Sequence, residues 1–272
     1  MKIAALQMVS APDLHTNLLN ARSLLDQSAG EGAELAVLPE YFCMLGAKDT
    51  DKLKIKETFG YGPIQEMLSE CAARHKMWIV GGTLPLSIEH AQNKIFNTSL
   101  VFDPLGRCLA RYDKIHLFKF SNGIEHYDES RTLQPGTKPV VFELPSKDGH
   151  TWRVGLSICY DLRFPELYRS LANLNTDLIL VPSAFTFTTG QAHWEVLLRA
   201  RAIENQVWVV APAQGGLHEN TRRTWGQTMI VSPWGEITAQ KATGQGCVIG
   251  EINWQENVLV RNQLPALEHR VL

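Results

Sequence analysis

Ten short apolar runs, each closed by glycine, proline, asparagine, aspartate or serine, constrain this chain more than any other feature. They are IAALQM (3–8), LAVLP (35–39), WIVGGTL (78–84), TSLVF (98–102), VVFEL (140–144), WRVGLSIC (152–159), LILVPSA (178–184), VWVVAPA (207–213), TMIVSP (228–233) and CVIGEI (247–252). Rich in β-branched residues and bounded by turn formers, they read as strands. Several are almost continuously apolar, which predicts strands covered on both faces. Between them lie helical patterns. Residues 16–28 place leucines and alanines at helical spacing, and residues 193–205 do the same with Trp194, Leu197, Leu198 and Ile203. Pro63 and Pro165 each suit a first helical turn, for helices over 63–75 and from 165 onward. A hairpin is predicted from 97–102 to 107–112 around Asp103-Pro104-Leu105-Gly106. The alternation implies a mixed α/β sandwich. With no repeat, low-complexity stretch or linker-like shift, the 272 residues are expected to form a single domain, 1–272.

Net charge is −2 with no block of like charges, so neither nucleic acid nor a membrane surface is indicated. The opening MKIAALQMVSAPD has too short an apolar run for a signal peptide, and no stretch could span a bilayer. A cytoplasmic protein is expected, so the formal sequon Asn97-Thr98-Ser99 carries no weight. The five cysteines (Cys43, Cys71, Cys108, Cys159, Cys247) are scattered, with no CxxC pair and no histidine pair at metal-binding spacing. Reduced thiols and no metal site are expected.

Most cysteines in strands are small buried hydrophobes. Cys159 differs in position: it ends WRVGLSIC, and Tyr160-Asp161-Leu162-Arg163-Phe164 then turns the chain toward the Pro165 helix. Hydrolases expose a nucleophile at such a strand-to-helix turn, where backbone N–H groups can receive an oxyanion. GLSIC stands where a serine hydrolase shows GxSxG, so the reactive atom would be sulfur. A thiol needs a base or a cation beside it. His116, His126 and His193 are candidates, although papain-type signatures are absent. Glu40, directly after ELAVLP, is a carboxylate at the mouth of a buried strand, and Lys114, in RYDKIHLF, is a charge among apolar neighbours after a strand. Each could be simply solvated; together at one sheet edge with the thiol they would make a hydrolytic set. A redox sensor would want a resolving cysteine near Cys159, and none is close in sequence.

Three stretches, AVLPEYF around Glu40, RYDKIHLF around Lys114 and GLSICYDLRFPEL around Cys159, resemble the nitrilase superfamily of carbon–nitrogen hydrolases in content, order and separation. The resemblance runs from Ile3 to about Arg270. PSAFTFTTGQAHWEVLLRARAIENQ and WGQTMIVSPWGEI resemble its Nit branch of small-acid amidases. What the resemblance implies is an α/β fold, a four-layer α-β-β-α sandwich with mixed sheets, usually paired as a homodimer. It also implies a Glu–Lys–Cys triad: Glu40 as general base, Lys114 as electrostatic stabiliser and Cys159 as nucleophile forming a thioester, with no metal or organic cofactor. The family often adds a second glutamate. DESRTLQPG points to Glu129, with Glu125 of GIEHYDE as the competing position.

By the same resemblance, Arg163 is a candidate clamp for a substrate carboxylate, with Tyr160, Thr186, Thr189 and His193 on the substrate side. The bland readings are a structural arginine bonded to carbonyls or Glu166, and threonines that cap a helix. The implied substrate is a small acidic amide of a 2-oxo dicarboxylic acid. Deaminated glutathione, giving 2-oxoglutarate and Cys-Gly, fits the Ser183 and LLRARAIE positions better. The alternatives are the omega-amidase reaction on 2-oxoglutaramate, or a nitrile or other small amide. Residues 263–272 are expected to form a C-terminal tail able to cover a partner subunit.

Overall fold

Burial on two faces accounts for the apolar runs. In the computed structural model, which describes residues 1–271, strand β1 (Lys2–Gln7) is buried without interruption from Ile3 to Gln7. Its alternate residues enter different cores: Ile3 and Ala5 join one apolar cluster, Ala4 and Leu6 another.

The first sheet holds β1, β2 (Leu35–Val37), β3 (Trp78–Val80), β4 (Leu84–Ile88), β5 (Ala91–Phe102), β6 (Cys108–Asp113) and, from the far end of the chain, β17 (Gly246–Glu251). Its order is β17-β1-β2-β3-β5-β4, with β6 paired to β5. A small hairpin, β7 (Lys119–Ser121) and β8 (His126–Asp128), follows. The second sheet contains β9 (Val140–Pro145), β10 (Thr151–Leu156), β11 (Leu178–Leu180), β12 (Trp208–Ala211), β15 (Thr228–Val231) and β16 (Ile237–Lys241), ordered β16-β15-β12-β11-β10-β9. Between β12 and β15 a second hairpin forms from β13 (Gly215–Leu217) and β14 (Arg223–Trp225).

Helices α1 (Leu14–Gly30) and α2 (Pro63–His75) press Leu24, Leu25, Ile64 and Leu68 onto the Ala4/Leu6 face of the first sheet. The opposite face meets the second sheet through Ile3, Val37 and Val80 against Trp152, Val154 and Leu156. Helices α3 (Pro165–Asn173) and α4 (Phe187–Asn205) cover the outer side of the second sheet with Leu171, Trp194 and Leu198. The result is the four-layer α-β-β-α sandwich with mixed sheets. In each sheet three neighbouring parallel strands, β1-β2-β3 and β10-β11-β12, are flanked by antiparallel ones. The order β-α-β-α-β thus recurs, although the sequence shows no repeat.

Most expected elements fall where the periodicity puts them; α4 does not. It begins at Phe187 rather than near 193, because Thr186 caps it by accepting from the Thr189 N–H. The intervening TFTTGQA has little apolar periodicity. Gly190 is required there, since a Cβ would come within 2.2 Å of the Trp225 side chain. A last helix, α5 (Trp254–Gln263), leads into the tail. The tail lies on its own chain, with the Arg270 Nη2 donating to Asn173 Oδ1 at 2.7 Å. Leu272, the end of the expected 263–272 segment, lies outside the described residues.

Candidate active site

The candidate chemistry sits at the carboxyl ends of strands, three of them parallel strands as expected for an α/β sheet and one, β6, antiparallel to β5. Glu40 follows β2, Lys114 follows β6, Cys159 follows β10 and Ala184 follows β11. Glu40 is positioned by a close backbone crossing. Gly82, at φ +42°, sits where a Cβ would lie 2.0 Å from the Pro39 carbonyl oxygen, and Thr83 Oγ1 accepts from the Tyr41 N–H at 2.8 Å.

Cys159 occupies the left-handed region at φ +49°, uncommon for a side chain with a Cβ and a mark of a functional turn. Asp161, fully buried, holds that turn. Its carboxylate accepts from the Ile158 N–H (2.9 Å), the His116 N–H (3.0 Å) and the Tyr112 hydroxyl (2.7 Å), and also contacts His116 Nδ1 at 2.7 Å. From α4, Arg201 donates twice to the Leu162 carbonyl, at 3.1 and 2.8 Å. His116 is therefore committed to Asp161, and its ring stacks on Phe164 at 3.7 Å. No cysteine–histidine pair forms with it. Ser157 of GLSIC is buried against Tyr168 and the Leu180 carbonyl.

The structure brings Glu40, Lys114, Glu129 and Cys159 together. Lys114 Nζ donates to Glu40 Oε1 at 2.8 Å and to both oxygens of Glu129 at 3.0 and 2.9 Å. Lys114 and Glu40 are each only 1 % exposed. Glu129 also accepts from the Tyr41 hydroxyl and the Phe118 N–H, both at 2.7 Å. Glu40 also accepts from Asn97 Nδ2 (2.9 Å) and the Ala184 N–H (3.0 Å), and it faces the Cys159 thiol. Glu125, the competing position, bonds instead to the Thr188 hydroxyl, away from Lys114.

Two carboxylates sharing one ammonium are driven apart in acidity. Burial pushes the Glu40 carboxyl above its usual range, and the negative charge of Glu129 adds to this against the pull of Lys114. Burial acts on Glu129 as well, but Lys114, Lys52 and the Tyr41 and Phe118 donors outweigh it and hold Glu129 below the usual range. Burial disfavours the ammonium of Lys114, yet Glu129 and Glu40 raise its pKa well above that of a free lysine. Burial, then the Glu40 charge, raises the Cys159 thiol well above normal, so it rests protonated. One permanent anion, one permanent cation, one titratable carboxyl and one neutral thiol can pass a proton and hold developing charge.

These groups open into a cavity of about 740 Å³, counting its open mouth. Tyr160, Arg163, Thr186 and Thr189 line it. Arg163 does not bond to Glu166 or to a carbonyl: its guanidinium lies over Tyr160 (5.7 Å) and Phe185 (5.3 Å). His193 stands outside the lining, exposed, and reaches the cavity only through Arg163 Nη1 at 3.1 Å. Thr186 and Thr189 pair their hydroxyls at 2.9 Å while serving as helix cap. Sequence reasoning missed Asn97, whose buried position in the run IFNTSLVF was its signal. It also missed Lys52, in a short 3-10 turn over Asp51–Ile55, and Arg222, in the loop before β14, where no pattern betrays them. Among the described residues no group of three or more His, Cys, Asp or Glu side chains could hold a metal ion. No described helix is long and apolar enough to cross a membrane.

A family model described as carbon-nitrogen hydrolase matches residues 2–261. The chain belongs to the carbon–nitrogen hydrolase family. It is 44% identical over 271 residues to a deaminated glutathione amidase of Synechocystis sp., covering 98% of this chain and 97% of that protein. It is 35% identical over 271 residues to the omega-amidase NIT2 of Homo sapiens, with 99% and 94% covered. Among solved structures, the C. elegans NitFhit protein superposes with a TM-score of 0.90 at 35% identity. That alignment covers 99% of this chain, which spans 65% of the NitFhit chain.

Proposed function

We propose that this carbon–nitrogen hydrolase is a thiol-dependent amidase acting on deaminated glutathione and releasing 2-oxoglutarate and Cys-Gly. The observation that carries the reading is the buried cluster in which Lys114 Nζ donates to Glu40 at 2.8 Å and to Glu129 at 2.9 Å, with Glu40 facing the Cys159 thiol. The relative at 44% identity supports the choice of substrate.

Glu40 takes the thiol proton as Cys159 Sγ attacks the amide carbonyl carbon. The carbonyl oxygen becomes an oxyanion beside the Lys114 ammonium, with a backbone N–H of the Tyr160 turn as second donor. The C–N bond breaks as Glu40 gives its proton to the departing amine, leaving a thioester. A water then loses a proton to Glu40 and attacks the thioester carbon. The acid departs and the thiol recovers its proton. Glu129 keeps Lys114 in place and charged. Arg163 holds the 2-oxo acid carboxylate, helped by Tyr160, Thr186 and Thr189, while His193 orients Arg163. A single domain over 1–272, a cytoplasmic location and a homodimer complete the reading. Size-exclusion chromatography tests the pairing.

The 35% identity to an omega-amidase supports a second reading, hydrolysis of 2-oxoglutaramate by the same residues. Release of 2-oxoglutarate from the two amides, side by side, decides between them, with Cys159→Ala as control. Preference for deaminated glutathione, lost in the variant, supports the first. Preference for 2-oxoglutaramate moves the protein to the second, and cleavage of neither refutes both.

A further inference from the structure

The cavity holds more cationic charge than its chemistry uses. Of its acids, Glu40 and Glu129 are engaged by Lys114, Asp128 by the Ser130 hydroxyl and Lys119, and Asp49 stands exposed at the rim. Arg163, Lys52 and Arg222 line the same space, with Lys48 exposed at its rim; among the described residues none of the first three makes a direct ion pair with a carboxylate, although the Lys52 charge acts on Glu129.

These cations fall into two groups. Arg163 comes from the Cys159 turn and rests on Tyr160 and Phe185. Lys52 lies over the Tyr41 ring at 5.2 Å, and Arg222 over the Tyr127 ring at 5.0 Å. The segments carrying Lys52 and Arg222 are tied into one wall. Asn220 donates to the carbonyls of Leu45 (2.9 Å) and Gly46 (2.7 Å), and its side-chain oxygen accepts from the Arg222 N–H. That wall continues directly from Glu40 and Tyr41. Burial lowers the pKa of Lys52, with the Glu129 charge as partial offset, so a bound anion would stabilise its ammonium.

Glu40 is the carboxyl placed to protonate the departing amine, so the amine half lies toward the wall that Glu40 begins. The acyl half then extends the other way, to Tyr160 and Arg163. We propose that Lys52 and Arg222 form a second carboxylate subsite on the amine side of the scissile bond, selecting a leaving group that ends in a carboxylate. The inference rests on the amidase reading above and adds the feature that separates its two substrates. Deaminated glutathione carries a carboxylate on each half, whereas 2-oxoglutaramate carries one only, on the acyl half. Two extended residues reach about 7 Å, enough to take a terminal carboxylate from the reacting carbon toward the rim.

The test is a substrate–residue cycle using deaminated glutathione, the same compound with its terminal carboxylate as a carboxamide, and 2-oxoglutaramate. The parent protein should prefer carboxylate over carboxamide by about tenfold in kcat/KM, the scale of one charge-assisted hydrogen bond. In Lys52→Gln and Arg222→Gln that preference should shrink, and in the double variant it should vanish. The ratio of deaminated glutathione to 2-oxoglutaramate turnover should fall in parallel. Turnover of both amides with no preference between carboxylate and carboxamide would overturn the subsite and leave the amidase reading standing. So would an equal loss on both amides in Arg222→Gln, because that cation would then be serving the shared acyl half; Lys52→Gln also removes a charge acting on Glu129, so it is read by the ratio of carboxylate to carboxamide turnover alone. Cleavage of neither acyl substrate by the parent protein would overturn both.

Discussion

Replacing Glu129 by glutamine isolates the charge that drives the two carboxyls apart. Glu129 accepts four hydrogen bonds: two from Lys114, one from the Tyr41 hydroxyl and one from the Phe118 N–H. An amide keeps one accepting oxygen, and its NH2 group must face Lys114 in either orientation, donor against donor. The larger effect is electrostatic. The Glu129 charge raises the pKa of Glu40; without it, Lys114 acts on Glu40 alone and the Glu40 pKa falls. A nearby like charge is typically worth about one to three pKa units, each about 1.4 kcal/mol. Glu40 becomes a weaker base by that amount, so kcat should fall about 100-fold, a loss within the usual range for general-base catalysis. The sign of the pH effect follows. In the proposed mechanism activity needs ionised Glu40, so the acid limb of kcat/KM should move to lower pH while the plateau drops. The assay is 2-oxoglutarate release across the acid range for the parent protein and Glu129→Gln. A variant within about twofold of the parent, or an acid limb that stays put or rises, would refute the reasoning.

The opposite shift should come from Asn97→Leu, which removes the donor 2.9 Å from Glu40 Oε1. Without that bond to the ionised form, the acid limb should move to higher pH. In Asp161→Asn, the backbone and side-chain donors around the buried carboxylate lose the charge they converge on. We expect a loss of about 3 kcal/mol in urea unfolding and a fall in kcat as the Cys159 turn relaxes. Gly82→Ala meets both a positive φ and a Cβ 2.0 Å from the Pro39 oxygen. It should cost at least about 3 kcal/mol and displace Glu40; an unfolding midpoint equal to the parent's would discount the crossing as its support.

Much of the fold was legible because burial is written locally. A strand covered on both faces must be apolar at every position, and the runs at 35–39 and 178–184 say so without reference to anything distant. A helix with one buried face shows its period, as 63–75 does. Where the period is weak the reading slips: the first turns of α4 are set by the Thr186 cap and by the contact of Trp225 with Gly190, neither of which leaves an apolar pattern.

The sequence by itself also determined which residues could do chemistry. Glu40 follows an apolar run, Cys159 ends one and Lys114 follows the strand CLARYD, so each emerges at a strand end. Only the tertiary structure decided that they meet, because Glu40 and Lys114 lie 74 positions apart and are joined by sheet register rather than by spacing. It also chose Glu129 over Glu125, two glutamates four residues apart whose difference lies wholly in which one the packing turns toward Lys114. His116, a plausible base by counting, was withdrawn by its bond to Asp161 45 positions away. Lys52 and Arg222 came to the cavity from a short 3-10 turn and a hairpin loop whose local sequence obeys no period. A side chain's neighbours along the chain govern whether it is buried or exposed; its partners across the fold govern its charge, and that choice is made only when the sheets pack.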